Sequence, residues 1–499
     1  MQKSKSKATK LIVALVMSLL LLTIIIACDN NEAPPEEPAI DPIPTEAQQD
    51  DPPEPTEVDW EFFNERAVEF INLTASGNYD DAAAMFDETM TEVFGAAGLE
   101  VAWAEVIALV GDFIEIHDIE NANIDPYFIS GVIIRHENSG FGWTVVFDES
   151  GNISGLHSGG TAPLSDPTAQ NHFPSEPVQR DGFTDYPIII GEHTGFPIVG
   201  ILSMPDGAAE PIPAAVIVQG SGASDMDGTI GGNRPYRDIA EFLAANGIAV
   251  VRADKRTYTH GVRIVQELGG YATVWEETVE DALFATELLR ADRRIDENRI
   301  FIIGHSLGGT LAPRIHASNG NFAGLILMAT TPRSLPELFL EQMRASSYAG
   351  VEEGLIDESV LEAALEELYE LAELLDTIKN MTAEEARITQ IPGLGVWAYY
   401  LADLEAHSFE AYISRVNVPI LVMQGLSDFQ VIPTVDLILL QELLEGRDNV
   451  SFNIYNGLDH LFMETTATNF VQHAMRIIES PGHVDEIVLK DIVDWINEH

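Results

Sequence analysis

Arg299-Ile300-Phe301-Ile302-Ile303-Gly304-His305-Ser306-Leu307-Gly308-Gly309 is the stretch that orders the rest of the chain. Its isoleucine-rich run has the composition of a parallel strand covered on both faces. It passes directly into Gly304-x-Ser306-x-Gly308, and helical character continues from Ala312 to Ser318. Strand, sharp turn and helix in that order are the setting of a nucleophile elbow. A serine hydroxyl attacks poorly unless it is held in the open beside a base. A tight turn holds it so, and glycines on either side let strand and helix approach without a Cβ clash. The five-residue pattern alone occurs by chance in long chains, so its weight comes from the strand before it and the helix after it.

Outward from this stretch, strands and helices alternate. Candidate strands cover 187–192, 198–204, 214–220, 248–254, 300–306, 324–329, 419–425 and 450–455, and candidate helices 235–246, 274–290, 307–318, 433–444 and 485–498. Such alternation predicts a mostly parallel sheet with helices on both faces. The interval from Pro332 to Ser414 departs from it: Leu361, Leu365, Leu368, Leu371 and Leu375 recur at helical spacing among glutamates. This interval is expected to be a helical insertion between the sixth and seventh sheet strands. Its leucine stripe is expected to pack against the sheet, and Trp397, Tyr399 and Tyr400 fit either a pocket wall or the insertion's own core.

This α/β pattern over residues 183–499 resembles the α/β-hydrolase superfamily, in which a helical cap commonly occupies that interval. Glycine-rich Gly220-Ser221-Gly222, then Asn233-Arg234-Pro235-Tyr236-Arg237-Asp238, then Arg252-Ala253-Asp254-Lys255-Arg256 are similar to its serine aminopeptidase-like and dienelactone hydrolase-like branches. Dienelactone hydrolases use cysteine where this chain has Ser306, so their substrate does not carry over. The resemblance implies a triad in the order Ser, acid, His, each following a strand. Asp428 follows the strand 419–425, His460 follows the strand 450–455, and the chain between them suffices for one helix and one strand. Ser306, Asp428 and His460 are therefore the candidate nucleophile, acid and base. Asp459 is a rival acid by proximity, but neighbouring loop side chains diverge, and it is assigned a supporting role. His305 and His316 are expected to pack.

An oxyanion needs donors in place before charge develops. The backbone N–H of Leu307 opens the helix after the elbow. The second donor is expected from the turn after strand 214–220, at Ser221 N–H with Gly222 as the substitute. The glycine spacing there matches neither phosphate-binding fingerprint. Arg252, Asp254, Lys255 and Arg256 read as an internal ion-pair network rather than an anion site.

The amino-terminal part has a different organisation. Lys3, Lys5, Lys7 and Lys10 precede the uncharged segment Leu11–Ile26, which has the form of an export signal and, at sixteen residues, is short for a membrane span. Its end, Ile25-Ile26-Ala27-Cys28, resembles the lipobox of bacterial lipoproteins, and Cys28 is the chain's single cysteine. That resemblance implies cleavage before Cys28 and a lipid on its sulfur, giving an exported protein tethered to a membrane. Residues 28–57 are an acidic, proline-rich stalk. Residues 58–158 read as a small α+β domain without an acid–base–nucleophile cluster; Trp103, Gly111, Val146-Phe147-Asp148 and Gly151-x-Ile153-x-Gly155-Leu156 resemble an uncharacterised bacterial domain that often precedes α/β-hydrolases, and 159–182 is expected to be a linker.

The chain carries 80 acidic and 26 basic residues, a formal charge of −54. Such a field disfavours nucleic acid and polyanionic partners. One cysteine excludes an internal disulfide framework and any cysteine-based metal site. No metal or cofactor is expected. The composite expectation is a serine hydrolase of carboxylic esters acting on small molecules. A serine peptidase acting on short peptides is the alternative, and a lipid-anchored binding protein with a spent site the non-enzymatic one. A thioesterase acting on coenzyme A fits an acidic, exported chain poorly.

Overall fold

The computed structural model describes residues 58–499 apart from 88–89, 92–93, 125–126, 138–139, 163–175, 209, 392–395 and 480. The export signal, Cys28 and the stalk therefore lie outside the described residues.

Residues 60–162 form a helix-on-sheet unit. Helix α1 (Trp60–Ala75) is capped by Asp59, whose carboxylate accepts the Phe62 N–H at 3.2 Å. Helices α2 (Tyr79–Ala83) and α3 (Gly95–Val110) follow. Strands β1 (Phe113–Ile124), β2 (Tyr127–His136), β3 (Gly140–Phe147) and β4 (Ile153–Ala162) form an antiparallel meander in that order. Phe63, Phe70, Trp103, Trp143 and Phe147 fill the layer between sheet and helices. Pairing of Gly140 with Ala162 and Phe141 with Thr161 carries β4 to residue 162, so residues 159–162, expected in a linker, are strand. Their glycines carry no side-chain pattern from which a strand could be read.

The second unit is built on nine strands. Strands β5 (Val178–Gln179), β6 (Phe183–Ile190) and β7 (Ile198–Pro205) run antiparallel at one edge. Strands β8 (Ile212–Val218), β9 (Ala249–Ala253), β10 (Ile295–His305), β11 (Gly324–Met328), β12 (Ile420–Gly425) and β13 (Val450–Tyr455) are parallel, and the sheet order is β13-β12-β11-β10-β8-β9-β7-β6-β5. Alternation of side chains sends Ala214, Val216, Ile300 and Ile302 into one core and Ala215, Ile217, Phe301 and Ile303 into the other. Both faces are thus buried over residues 214–218 and 300–303, which is why those segments read as unbroken apolar runs.

Helices α4 (Pro235–Ala245) and, near the carboxyl end, Glu486–Glu498 cover one face. Gly324 admits the second of these helices closely, since a Cβ there would meet the Trp495 ring. Helices α5 (Arg256–Glu267), α6 (Glu280–Ala291) and α7 (Leu307–Ile315) come next in the chain; α6 and α7 pack on the opposite face, and β1 of the small domain packs against α5. Sequence periodicity missed α5, which is kinked at His260 (φ −130°, ψ 23°). It also ran α7 on to Ser318, where the structure has a wider turn from His316 to Gly320.

The insertion is helical. Helices α8 (Leu335–Glu352), α9 (Glu358–Ile378), α10 (Ala383–Ile388), α11 (Ala398–Ala406) and α12 (Phe409–Ile413) lie between β11 and β12. Leu375, Ile378, Tyr400 and Leu401 are continuous with the sheet core and Leu371 packs against it, so the leucine stripe meets the sheet at its carboxyl-terminal end, while Leu361, Leu365 and Leu368 lie outside that core. The architecture is the α/β-hydrolase fold with a cap and a separate small antiparallel domain. Among the described residues no helix is long and apolar enough to cross a membrane, and no cluster of His, Cys, Asp and Glu is arranged to hold a metal ion.

Candidate active site

Strand order reverses around β8, whose neighbours β10 and β9 lead to opposite edges. Ligand crevices in open α/β sheets form at the carboxyl ends of strands beside such a switch point. Gly220 follows β8, Ser306 follows β10, Asp428 follows β12 and His460 follows β13.

Ser306 has φ 53° and ψ −120°, a conformation a side-chain-bearing residue adopts only when its surroundings enforce it. The enforcement is visible on both sides. Its N–H donates to Met328 O at 2.8 Å, and its carbonyl accepts from Gly309 and Thr310 N–H at 3.0 and 3.1 Å. A Cβ on Gly304 would strike the Gly308 backbone, and one on Gly308 would strike Val218 O. The elbow glycines are there for space. A Cβ on Gly220 would lie 3.2 Å from Ser306 Cβ, so the turn after β8 faces the serine. Leu307 opens α7, where the first N–H groups lack helical partners, and Ser221 follows Gly220.

Asp428 and His460 are joined. His460 Nδ1 donates to Asp428 Oδ2 at 2.8 Å, which leaves Nε2 as the basic nitrogen. The carboxylate also accepts Gln430 N–H at 2.8 Å, Val431 N–H at 3.0 Å and Gln424 Nε2 at 3.0 Å. Both residues are buried. Burial alone would raise the Asp428 pKa, but the His460 imidazole and the backbone N–H groups of Val431 and Gln430 outweigh it and hold the carboxyl below its usual range. The two loops are stitched together through Leu426 N–H to Tyr455 O at 2.8 Å and Ser427 N–H to Leu458 O at 2.9 Å.

Asp459 points elsewhere. Its Oδ1 accepts Leu461 and Met463 N–H at 2.9 and 3.0 Å, and its Oδ2 pairs with Arg476. It shapes the loop that carries His460.

His305 does more than pack. Its Nε2 donates to His460 O at 2.8 Å, its ring lies 4.7 Å from the His460 ring, and its Nδ1 accepts from Tyr236 OH at 3.0 Å. Tyr236 OH in turn accepts Gly220 N–H at 3.1 Å. One neutral imidazole thus ties the elbow, the turn after β8 and the His460 loop together. Burial and the neighbouring His460 lower its pKa to about 3, so it stays neutral. Its position inside the elbow motif signalled proximity, but nothing in the sequence pointed to Tyr236 as its partner. His316 accepts Phe322 N–H at 3.2 Å and is structural.

The basic cluster is internally paired. Arg252 bonds Asp227 and Ser203, and Arg256 binds Asp281 and Glu280. Lys255 Nζ donates to Gly220 O at 3.0 Å and pairs with Glu277 at 3.0 Å, while Tyr400 OH donates to Glu277 at 2.6 Å. Tyr400 is therefore a tether between cap and sheet, and Tyr399 stacks on Arg387. No anion site is left among these cations.

Residues 226–466 match a family model described as serine aminopeptidase, S33, and residues 67–156 match one described as a protein of unknown function, DUF3887. The chain is 29% identical over 434 residues to Esterase EstD of Thermotoga maritima, an alignment covering 87% of this chain and 95% of that protein. Among solved structures, Est1E from Butyrivibrio proteoclasticus aligns at TM-score 0.39 and 14% identity over 62% of this chain and 98% of its own. A puromycin-hydrolyzing peptidase of Mycobacterium tuberculosis aligns at TM-score 0.38 and 14% identity over 77% and 48%.

Proposed function

We propose that this chain, whose carboxyl-terminal body has the α/β-hydrolase fold, is a serine hydrolase that cleaves carboxylic esters of small molecules through an acyl-enzyme on Ser306. The observation that carries the reading is the buried Asp428–His460 bond beside a strained serine elbow. The similarity to an esterase over most of both chains favours ester over amide.

In this mechanism His460 Nε2 takes the Ser306 hydroxyl proton as Oγ bonds to the acyl carbon. The carbonyl electrons move to oxygen, where the N–H groups of Leu307 and Ser221 stabilise the anion. Collapse of this intermediate breaks the bond to the leaving alkoxide, which receives the proton from His460. Water then repeats the sequence on the acyl-enzyme, releasing the acid and restoring the serine. Asp428 keeps the Nδ1 proton in place and stabilises the imidazolium.

A fluorophosphonate probe is expected to label Ser306. Ser306→Ala is expected to lower kcat for p-nitrophenyl esters by about 10⁶-fold with an unchanged unfolding midpoint. Folded wild-type protein that resists the probe would instead indicate a binding module. Because the matching family model is described as an aminopeptidase, aminoacyl-anilides are the informative rival substrates; faster turnover of these than of esters would reassign the chain to peptide hydrolysis.

We also propose export with a lipid on Cys28, on the strength of the charged, apolar and lipobox-like order of residues 1–28. Cys28→Ser is expected to move the protein from the membrane to the soluble fraction, and retention in the membrane would mark an uncleaved span.

A further inference from the structure

The peptide joining Gly220 to Ser221 is held at its carbonyl by a buried ammonium. Lys255 Nζ donates to Gly220 O at 3.0 Å. A trans peptide is planar, with its C=O and N–H directed to opposite sides. Pulling the Gly220 carbonyl toward Lys255 therefore turns the Ser221 N–H away from Lys255. The same residue is fixed from its other end, where Gly220 N–H donates to Tyr236 OH at 3.1 Å, and a Cβ on Gly220 would face Ser306.

Lys255 is itself held firmly. It is 5% exposed, its own N–H donates to Ser224 O at 3.0 Å, and Glu277 pairs with its ammonium. Glu277 accepts from Thr257 on one oxygen and from Tyr400 of the cap on the other. Taking a lysine out of water is costly unless it is paired and hydrogen-bonded. Here one of its bonds goes to the peptide next to the nucleophile, where an apolar side chain would have filled the space without that cost.

We infer that Lys255 is a positioning residue of the oxyanion hole: its ammonium locks the Gly220–Ser221 peptide so that the Ser221 N–H is presented to the developing oxyanion. This rests on the assignment of Ser306 and Ser221 in the proposed function. A cation on the carbonyl also polarises the amide, which strengthens the bond its N–H donates. Glu277 and Tyr400 extend the same chain of bonds to the cap helix α11, so the lock is supported by how the cap is seated.

The test compares Lys255→Met with Lys255→Met/Glu277→Gln, which leaves no charge buried without its partner and carries the measurement if the single variant does not fold. The readouts are kcat and KM for a p-nitrophenyl ester and inhibition by an alkyl trifluoromethyl ketone, whose hemiketal oxyanion sits in the hole. The expected result is a fall in kcat of about 10²-fold or more, KM within about threefold, and a loss of ketone affinity matching the loss of kcat. A cavity of about 40 Å³ lies beside Lys255, Glu277 and Thr278, so Lys255→Arg has room for its larger head and is expected to recover most of the rate. Folded variants whose kcat stays within about threefold of wild type, or whose kcat falls with ketone affinity unchanged, overturn the inference. Fluorophosphonate labelling of wild-type Ser306 separates the two levels: no labelling ends the serine-hydrolase reading, whereas labelling with unaffected Lys255 variants ends the lock alone.

Discussion

Histidine chemistry at this site is set residue by residue. His460 is oriented by Asp428, His305 is a neutral structural link, and His473 is fully buried with neither ring nitrogen hydrogen-bonded. Burial lowers the His473 pKa to about 4. The unfolded imidazole takes up its proton near 6.5, the folded one only near 4, so between these values the unfolded state binds more protons. The stability this group contributes is complete above about pH 6.5 and falls as the medium is acidified toward 4, by roughly 3 kcal/mol. Removing the ring should flatten that decline. Urea midpoints of wild type and His473→Leu at about pH 7.5 and 5 are expected to show a smaller acid-induced drop in the variant, and equal drops would refute the assignment. That Ser306, Asp428 and His460 lie just past the carboxyl ends of strands was legible in the sequence, because position along the chain already implies the rim of the sheet. The hydrogen bonds of Tyr236, Gln424 and Lys255 were not, since each needs a partner brought near only by folding.

At the scale of elements, strands were easier to recognise than the helices over them. Two-sided burial makes β8, residues 300–303 of β10 and residues 420–423 of β12 uninterrupted apolar runs, whereas α5 carries a kink and α7 ends in a widened turn, and both blur a 3.6-residue period. The cap's helical nature was readable from its leucines, but its attachment was not. Tyr400, which fitted either a pocket wall or packing, is buried and bonded to Glu277. Burial and the nearby Glu277 carboxylate push its pKa well up, so it remains a donor. Tyr400→Phe leaves one Glu277 oxygen with a donor fewer in a dry setting, at a cost of about 1–3 kcal/mol. A lower urea midpoint with retained Ser306 labelling is the expected outcome; an unchanged midpoint would mean that the tether contributes nothing to stability.

Taken whole, the molecule works inside its own negative field. With a net charge of −54, like charges oppose the compact state, and salt relieves them by shortening the screening length from about 30 Å at 0.01 M to about 3 Å at 1 M. The unfolding temperature is therefore expected to rise across that range of sodium chloride, and KM for a carboxylate-bearing ester to fall while that for a neutral ester stays level. A salt-independent KM ratio would show that the field does not reach the crevice. The spacing of the three proposed catalytic side chains has a temporal consequence. Ser306 leaves the ribosome with β10, while Asp428 and His460 wait for β12 and β13, beyond the entire cap. Because synthesis proceeds from the amino end, a nascent or prematurely terminated polypeptide can carry Ser306 yet lacks His460, the base of the proposed mechanism. Under that mechanism hydrolytic power would arrive only with the completed sheet, and unfinished copies are expected to be chemically silent.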